Sequence, residues 1–125
     1  MPSPSRPVFL NLLQIHLPIA GLLSIAHRAA GVVLFLAIPF VIALLSLALS
    51  DQAGFARAKS LLVHPLMIAV LFLLLWILSH HFLAGIRYLL IDVHLGVQAP
   101  YFRQSAWLVM VMAPLLALVL LWGLS

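Results

Sequence analysis

The side chains able to do chemistry gather in two short stretches of an otherwise apolar chain. The first is Ser79-His80-His81-Phe82-Leu83-Ala84-Gly85-Ile86-Arg87, with Tyr88 and Asp92 behind it; the second is Ser24-Ile25-Ala26-His27-Arg28, with Gly31 one turn on. Both sit at the ends of long hydrocarbon-rich runs, where an ionisable side chain costs on the order of 2.5–3.5 kcal/mol at the bilayer centre and usually faces a bundle interior or a functional site. Imidazole can ligate a metal or carry a proton, guanidinium offers a fixed fork of donors to carboxylates and other oxygens, and a hydroxyl completes such a site.

Helical spacing sorts these groups onto faces. Ser24, His27, Arg28 and Gly31 follow i, i+3, i+4, i+7 and share one side of a helix. Such a trio can hold a polar headgroup or a carboxylate; an interfacial arginine snorkelling to lipid phosphate, with His27 beside it, accounts for the same residues. In the other stretch His81, Gly85, Tyr88 and Asp92 share a face, and His80, Ala84 and Arg87 a neighbouring one. A glycine one turn from a histidine clears room for a flat macrocycle, and haem iron takes an axial imidazole. Close helix packing against Gly85 is the competing explanation. His81 precedes Arg87 by about 9 Å of helix rise, which leaves space for a haem edge directed at an arginine-rich face. His16, His64 and His94 fall at boundaries and read as structural.

Composition decides what positions these groups. The 125 residues are 66% hydrophobic and 6% charged, against about 25% charged in a soluble domain. This is the composition of an integral membrane protein. Three apolar runs reach the roughly 20 residues a crossing needs, giving spans at roughly 22–49, 61–90 and 105–124, after an N-terminal interfacial segment over residues 1–18. Pro39 predicts a kink in the first span. Asp51 to Ser60 reads as a short polar connection, and Val93 to Arg103 as a second. Trp107 and Trp122 suit interfacial anchoring. The fold class is all-α, a single transmembrane domain of three helices within a larger multi-subunit bundle.

Several function classes drop out. Without cysteine there is no disulfide, thiolate site or cysteine nucleophile, so metal binding rests on histidine. Two carboxylates, Asp51 and Asp92, far apart in sequence, argue against paired acid–base hydrolysis. No glycine-rich phosphate loop is present. The formal charge of +4 reads as topology and membrane-lipid contact, with no nucleic acid partner. Asn11, Gln14 and His16 interrupt the start before any apolar core, so a cleavable leader is not expected. Three crossings put Arg6, Arg28, Arg87 and Arg103 on one side and Arg57 and Lys59 on the other. The positive-inside rule then makes the N-terminus cytoplasmic, in a bacterial cytoplasmic (inner) membrane.

Arg6-Pro7, the Ser24-Ile25-x-His27-Arg28-x-x-Gly31 pattern and His81-x-x-x-Gly85-Ile86-Arg87 followed by Asp92 together resemble the cytochrome b membrane-anchor subunit of succinate dehydrogenase, respiratory complex II. The likeness covers nearly the whole chain and includes Gly54-Phe55 and Ala58 in the first connection. It implies that His81 is one axial ligand of a haem b, the other coming from a second membrane-anchor subunit. It implies that His27 and Arg28 meet the haem propionates, while Gly85 leaves space for the haem beside His81. Ser24 and Arg28 would line the ubiquinone pocket, and Asp92 would lie near it, supplying protons or balancing charge. It also implies iron–sulfur and flavoprotein subunits that oxidise succinate and pass electrons to ubiquinone, so that this chain is a non-catalytic anchor. Many members have histidine after Gly-Ile-Arg, where this chain has Tyr88. Two other classes stay open: the anchor of a quinol:fumarate reductase, and a small non-redox membrane subunit that passes protons or metal or serves assembly.

Overall fold

The computed structural model describes residues 17–124. The Arg6-Pro7 pair, His16 and nearly all of the expected interfacial segment lie outside them. The described residues form four helices: α1 (Ile19–Ser50), α2 (Gln52–Leu62), α3 (Pro65–Asp92) and α4 (Tyr101–Leu124). Three of these, α1, α3 and α4, are long and apolar enough to cross a membrane. Helices are the expected form, because hydrocarbon offers no partner to a free backbone N–H or C=O. Pro39 lies inside α1 and Pro114 inside α4, and both helices continue through them.

The helix ends show why the chain folds this way locally. Pro18 caps α1, and its carbonyl accepts from Gly21 and Leu22. His64 is the N-cap of α3: its Nδ1 accepts from the Leu66 N–H at 3.3 Å, with Pro65 in the first turn, where its missing donor costs nothing. His94 follows the other end of α3 with φ 64°, donating to the Ile91 carbonyl, while Leu95 N–H reaches Leu90. This is the Schellman arrangement, with histidine where glycine is usual.

The segment read as a polar connection, Asp51 to Ser60, is instead most of α2. The physical reason is visible at its start. Asp51 is extended (φ −166°, ψ 178°) and its carboxylate accepts from the Gly54 N–H, a strong N-cap. Gly54 then lies so close to α1 that a Cβ would overlap Ser50 Oγ and the Leu47 carbonyl. Gly54 and Ala58 are buried, so α2 folds straight back against α1 while Arg57 and Lys59 stay exposed.

Helix α3 is the centre of the bundle, with α1 on one side and α4 on the other, and α1 also touches α4. Its core is small: Leu23, Ala84, Ala106 and Val109 form the buried cluster, and Ala30, Ala113 and Ala117 are buried too. Small residues let helices approach where lipid removes the hydrophobic drive to associate. Large apolar side chains face outward instead, among them Phe35, Phe40, Trp107 and Trp122.

Candidate functional site

Helices α1 and α3 bring His27 and His81 together. Their rings stack with centroids 4.2 Å apart and planes 11° from parallel. His81 Nδ1 lies 3.1 Å from the His27 carbonyl oxygen. A carbonyl can only accept, so Nδ1 carries the hydrogen and the lone pair of this imidazole is left on Nε2. That pattern, one ring nitrogen anchored to a backbone carbonyl and the other free, is how metal-ligating histidines are held.

Gly31 makes the close approach of the two rings possible, and Gly85 lies at ordinary contact distance. A Cβ at Gly31 would come within 3.0 Å of His81 Cε1, tighter than ordinary contact, and one at Gly85 would lie 3.8 Å from His27 Nε2. Tyr88, one turn past Gly85, sets its ring edge-on to His27 at 5.3 Å and 60°. The His81, Gly85 and Tyr88 face of α3 is thus turned to α1. Asp92, on the same nominal face, is exposed at the end of α3 and makes no side-chain hydrogen bond or ion pair among the described residues.

Beside the two imidazoles runs an open groove of about 490 Å³ lined by His27, Arg28, Gly31, Val32, Phe35 and His81. Arg28 is exposed and folds back on its own helix, Nε donating to the Ser24 carbonyl at 3.3 Å and Nη2 to Ser24 Oγ at 3.5 Å. Ser24 therefore keeps its own O–H for another acceptor. The structure brings Ser24, His27, Arg28, Gly31, His81 and Gly85 to one side of the bundle and leaves Asp92 beyond them.

Arg87 lies on the neighbouring face of α3, with His80 and Ala84, as its spacing indicates. It does not face the groove; it turns to α4, where Nε donates to Ser105 Oγ at 3.0 Å and Nη2 to the Phe102 carbonyl at 2.9 Å. Its guanidinium lies over the Phe102 ring at 4.7 Å and 5.5 Å from the Tyr88 centroid. Six residues of helix turn about 600°, equivalent to 240°, so Arg87 cannot share a side with His81. That rotation was readable in the sequence; Ser105 and Phe102 as its partners were not, since they lie across a helix pair. His80, also buried, lines a separate crevice of about 350 Å³ with Trp76, Ala26, Ala30 and Met110.

Comparison with known proteins identifies the family of the chain. Residues 2–120 match the family described as "Succinate dehydrogenase/Fumarate reductase transmembrane subunit". The chain is 39% identical over 110 residues to the "Succinate dehydrogenase cytochrome b556 subunit" of Coxiella burnetii (strain RSA 493 / Nine Mile phase I), covering 86% of this chain and 87% of that one. It is 31% identical over 120 residues to the "Succinate dehydrogenase cytochrome b560 subunit" of Reclinomonas americana, covering 92% and 83%. With three apolar helices and a family match over almost its full length, this multi-pass membrane chain belongs to the succinate dehydrogenase/fumarate reductase transmembrane subunits.

Proposed function

We propose that this chain supplies one of two axial imidazoles to a haem b shared with a second membrane-anchor subunit, and part of the site at which that complex reduces ubiquinone. The observation that carries the reading is the His81 Nδ1 contact to the His27 carbonyl, which leaves Nε2 to face a ligand. The residues fit the group. Gly31 leaves the room beside His81 that a side chain would crowd, and the groove beside His81 is open. On this reading the ligand this chain would offer iron is His81. When bound, haem supplies a one-electron store whose potential follows its axial ligands, second-shell hydrogen bonds and burial.

The protein's own groups then have defined tasks. The His27 carbonyl holds the His81 ring in orientation and increases its basicity as a ligand. His27 braces the flat side of that ring by stacking, and Tyr88 braces His27 in turn. Arg28 offers charge-assisted hydrogen bonds to a propionate carboxylate or a quinone oxygen. The free O–H of Ser24 can donate to a quinone carbonyl, and with Arg28 it stabilises negative charge developing there as electrons arrive. Asp92, exposed at the α3 terminus, would supply protons or balance charge near the quinone. Electrons would reach this chain from an iron–sulfur subunit served by a flavoprotein that oxidises succinate, the direction favoured by the names of both relatives. The membrane is then a bacterial inner membrane, with the Ser24–Arg28 and His81–Asp92 ends at its cytoplasmic face.

The test is a reduced-minus-oxidised visible spectrum of the purified complex containing this chain, with His81→Ala alongside. A low-spin b-type band that vanishes in the assembled variant supports the assignment. An unchanged band removes His81 as ligand, and a fully assembled complex without haem removes the cytochrome reading.

A further inference from the structure

Arg87 is a charged group buried in a bundle that gives it no counter-charge. It is 5% exposed, its Nη1 has no hydrogen-bond partner, and among the described residues no ion pair reaches it. Asp51 and Asp92 are both exposed. Its bonds to Ser105 and to the Phe102 carbonyl satisfy donors but do not neutralise the cation. A buried charge left uncompensated carries an effective penalty of several kcal/mol, so a neutralising group is expected at its side.

The space beside it has a definite character. Arg87 and Ser105 are the polar side chains lining a crevice of about 570 Å³ between α3 and α4, whose remaining side-chain walls are apolar. On α4 the lining runs from Ser105 through Leu108 and Met112 to Leu116, about 16 Å along the helix axis. The polar pair stands near the end of the crevice where α3 finishes and α4 begins, and hydrocarbon alone lines the deeper part. That is the outline of an amphiphile with a negative head and an aliphatic tail. A neutral lipid would fill the hydrocarbon part and leave the cation uncompensated.

We propose that the α3–α4 crevice is a binding site for an anionic phospholipid of the surrounding bilayer, its phosphate neutralising the Arg87 guanidinium, beside a Ser105 hydroxyl already given to the Phe102 carbonyl, and one acyl chain lying along Leu108, Met112 and Leu116. The site is separate from the His27–His81 groove and does not depend on haem or quinone.

The experiment uses the complex containing this chain, stripped of lipid by detergent exchange. It is incubated with dioleoylphosphatidylglycerol, with dioleoylphosphatidylcholine or with inorganic phosphate, and the lipid retained after gel filtration is quantified by mass spectrometry together with the unfolding temperature. The native complex should retain phosphatidylglycerol at least tenfold over phosphatidylcholine and unfold at a higher temperature with it. Arg87→Gln should abolish that preference. Because Arg87 also ties α3 to α4, Leu108→Trp is the companion variant: it fills the apolar wall, leaves the Arg87 bonds in place, and should lose retained phosphatidylglycerol at least tenfold with haem content unchanged. Equal retention of the two lipids, retention unaffected by Leu108→Trp, or full stabilisation by inorganic phosphate alone would overturn the proposal. So would a native complex that takes up neither lipid, as when a partner subunit fills the crevice.

Discussion

His81 donates through Nδ1 to the carbonyl of His27, 3.1 Å away, and the two rings also stack at 4.2 Å. One residue of α1 thus controls a residue 54 positions later in two ways, through its backbone and through its ring. The backbone contact sets which nitrogen of His81 is free, and the stack sets the plane in which that nitrogen points. Replacing the His27 side chain leaves the carbonyl in place. His27→Ala should therefore retain haem but change its environment, shifting the midpoint potential and broadening the low-spin signal in electron paramagnetic resonance. Loss of all haem in an assembled His27→Ala complex would show that the ring does more than brace.

Gly31 is tested by size. A Cβ there stands 3.0 Å from His81 Cε1, so Gly31→Ala asks the ring to move by a few tenths of an ångström, and Gly31→Val asks for more. Overpacking of this kind costs about 1–3 kcal/mol. Haem content measured by the pyridine haemochrome assay should fall in the order glycine, alanine, valine, with the complex still assembled. Equal haem in all three would mean that His81 does not hold it.

Arg28→Leu removes the guanidinium fork from an exposed position and breaks two bonds to Ser24 within the same helix. Neither bond holds one helix to another, so assembly should survive. Succinate-driven ubiquinone reduction should drop by one to two orders of magnitude, consistent with loss of a charge-assisted donor worth about 1.5–3 kcal/mol. Electron transfer from succinate to an artificial acceptor should stay within twofold. Parallel loss of both activities would indicate failed assembly.

The turn between α1 and α2 depends on a missing side chain. At Gly54 a Cβ would run into a backbone carbonyl, which cannot rotate away as a side chain could. Gly54→Ala should lower the unfolding temperature of the complex, at a cost of about 1–3 kcal/mol or more. Asp51→Ala, which removes only the cap, should cost about 1 kcal/mol. A Gly54→Ala complex as stable as the native one would mean that α2 does not sit against α1 in this way.

His94 occupies a left-handed position, φ 64°, in the Schellman end of α3. His94→Val should destabilise by about 1–2 kcal/mol because a β-branched side chain is strained there. His94→Gly should be neutral or slightly stabilising. Thermal unfolding of the two variants against the native complex checks both, and a valine variant as stable as the glycine one would contradict the geometry.

Much of this architecture was legible in the chain itself. Hydropathy and length pick out the three crossings because a bilayer accepts little but helices, and a 3.6-residue period then places His81, Gly85 and Tyr88 on one face with no knowledge of neighbours. The motifs around His27 and His81 identify the family for the same reason: both are local patterns. What needed the tertiary structure were relations between helices. Asp51 to Ser60 looked like a polar connection because its helix is held by a cap and by the fit of Gly54 against α1, neither of which composition records. The partners of Arg87 lie 15 and 18 residues away on α4, and the hydrogen on His81 Nδ1 is fixed by a carbonyl 54 residues back. A linear pattern fixes direction around a helix axis; only the packed bundle decides what stands opposite.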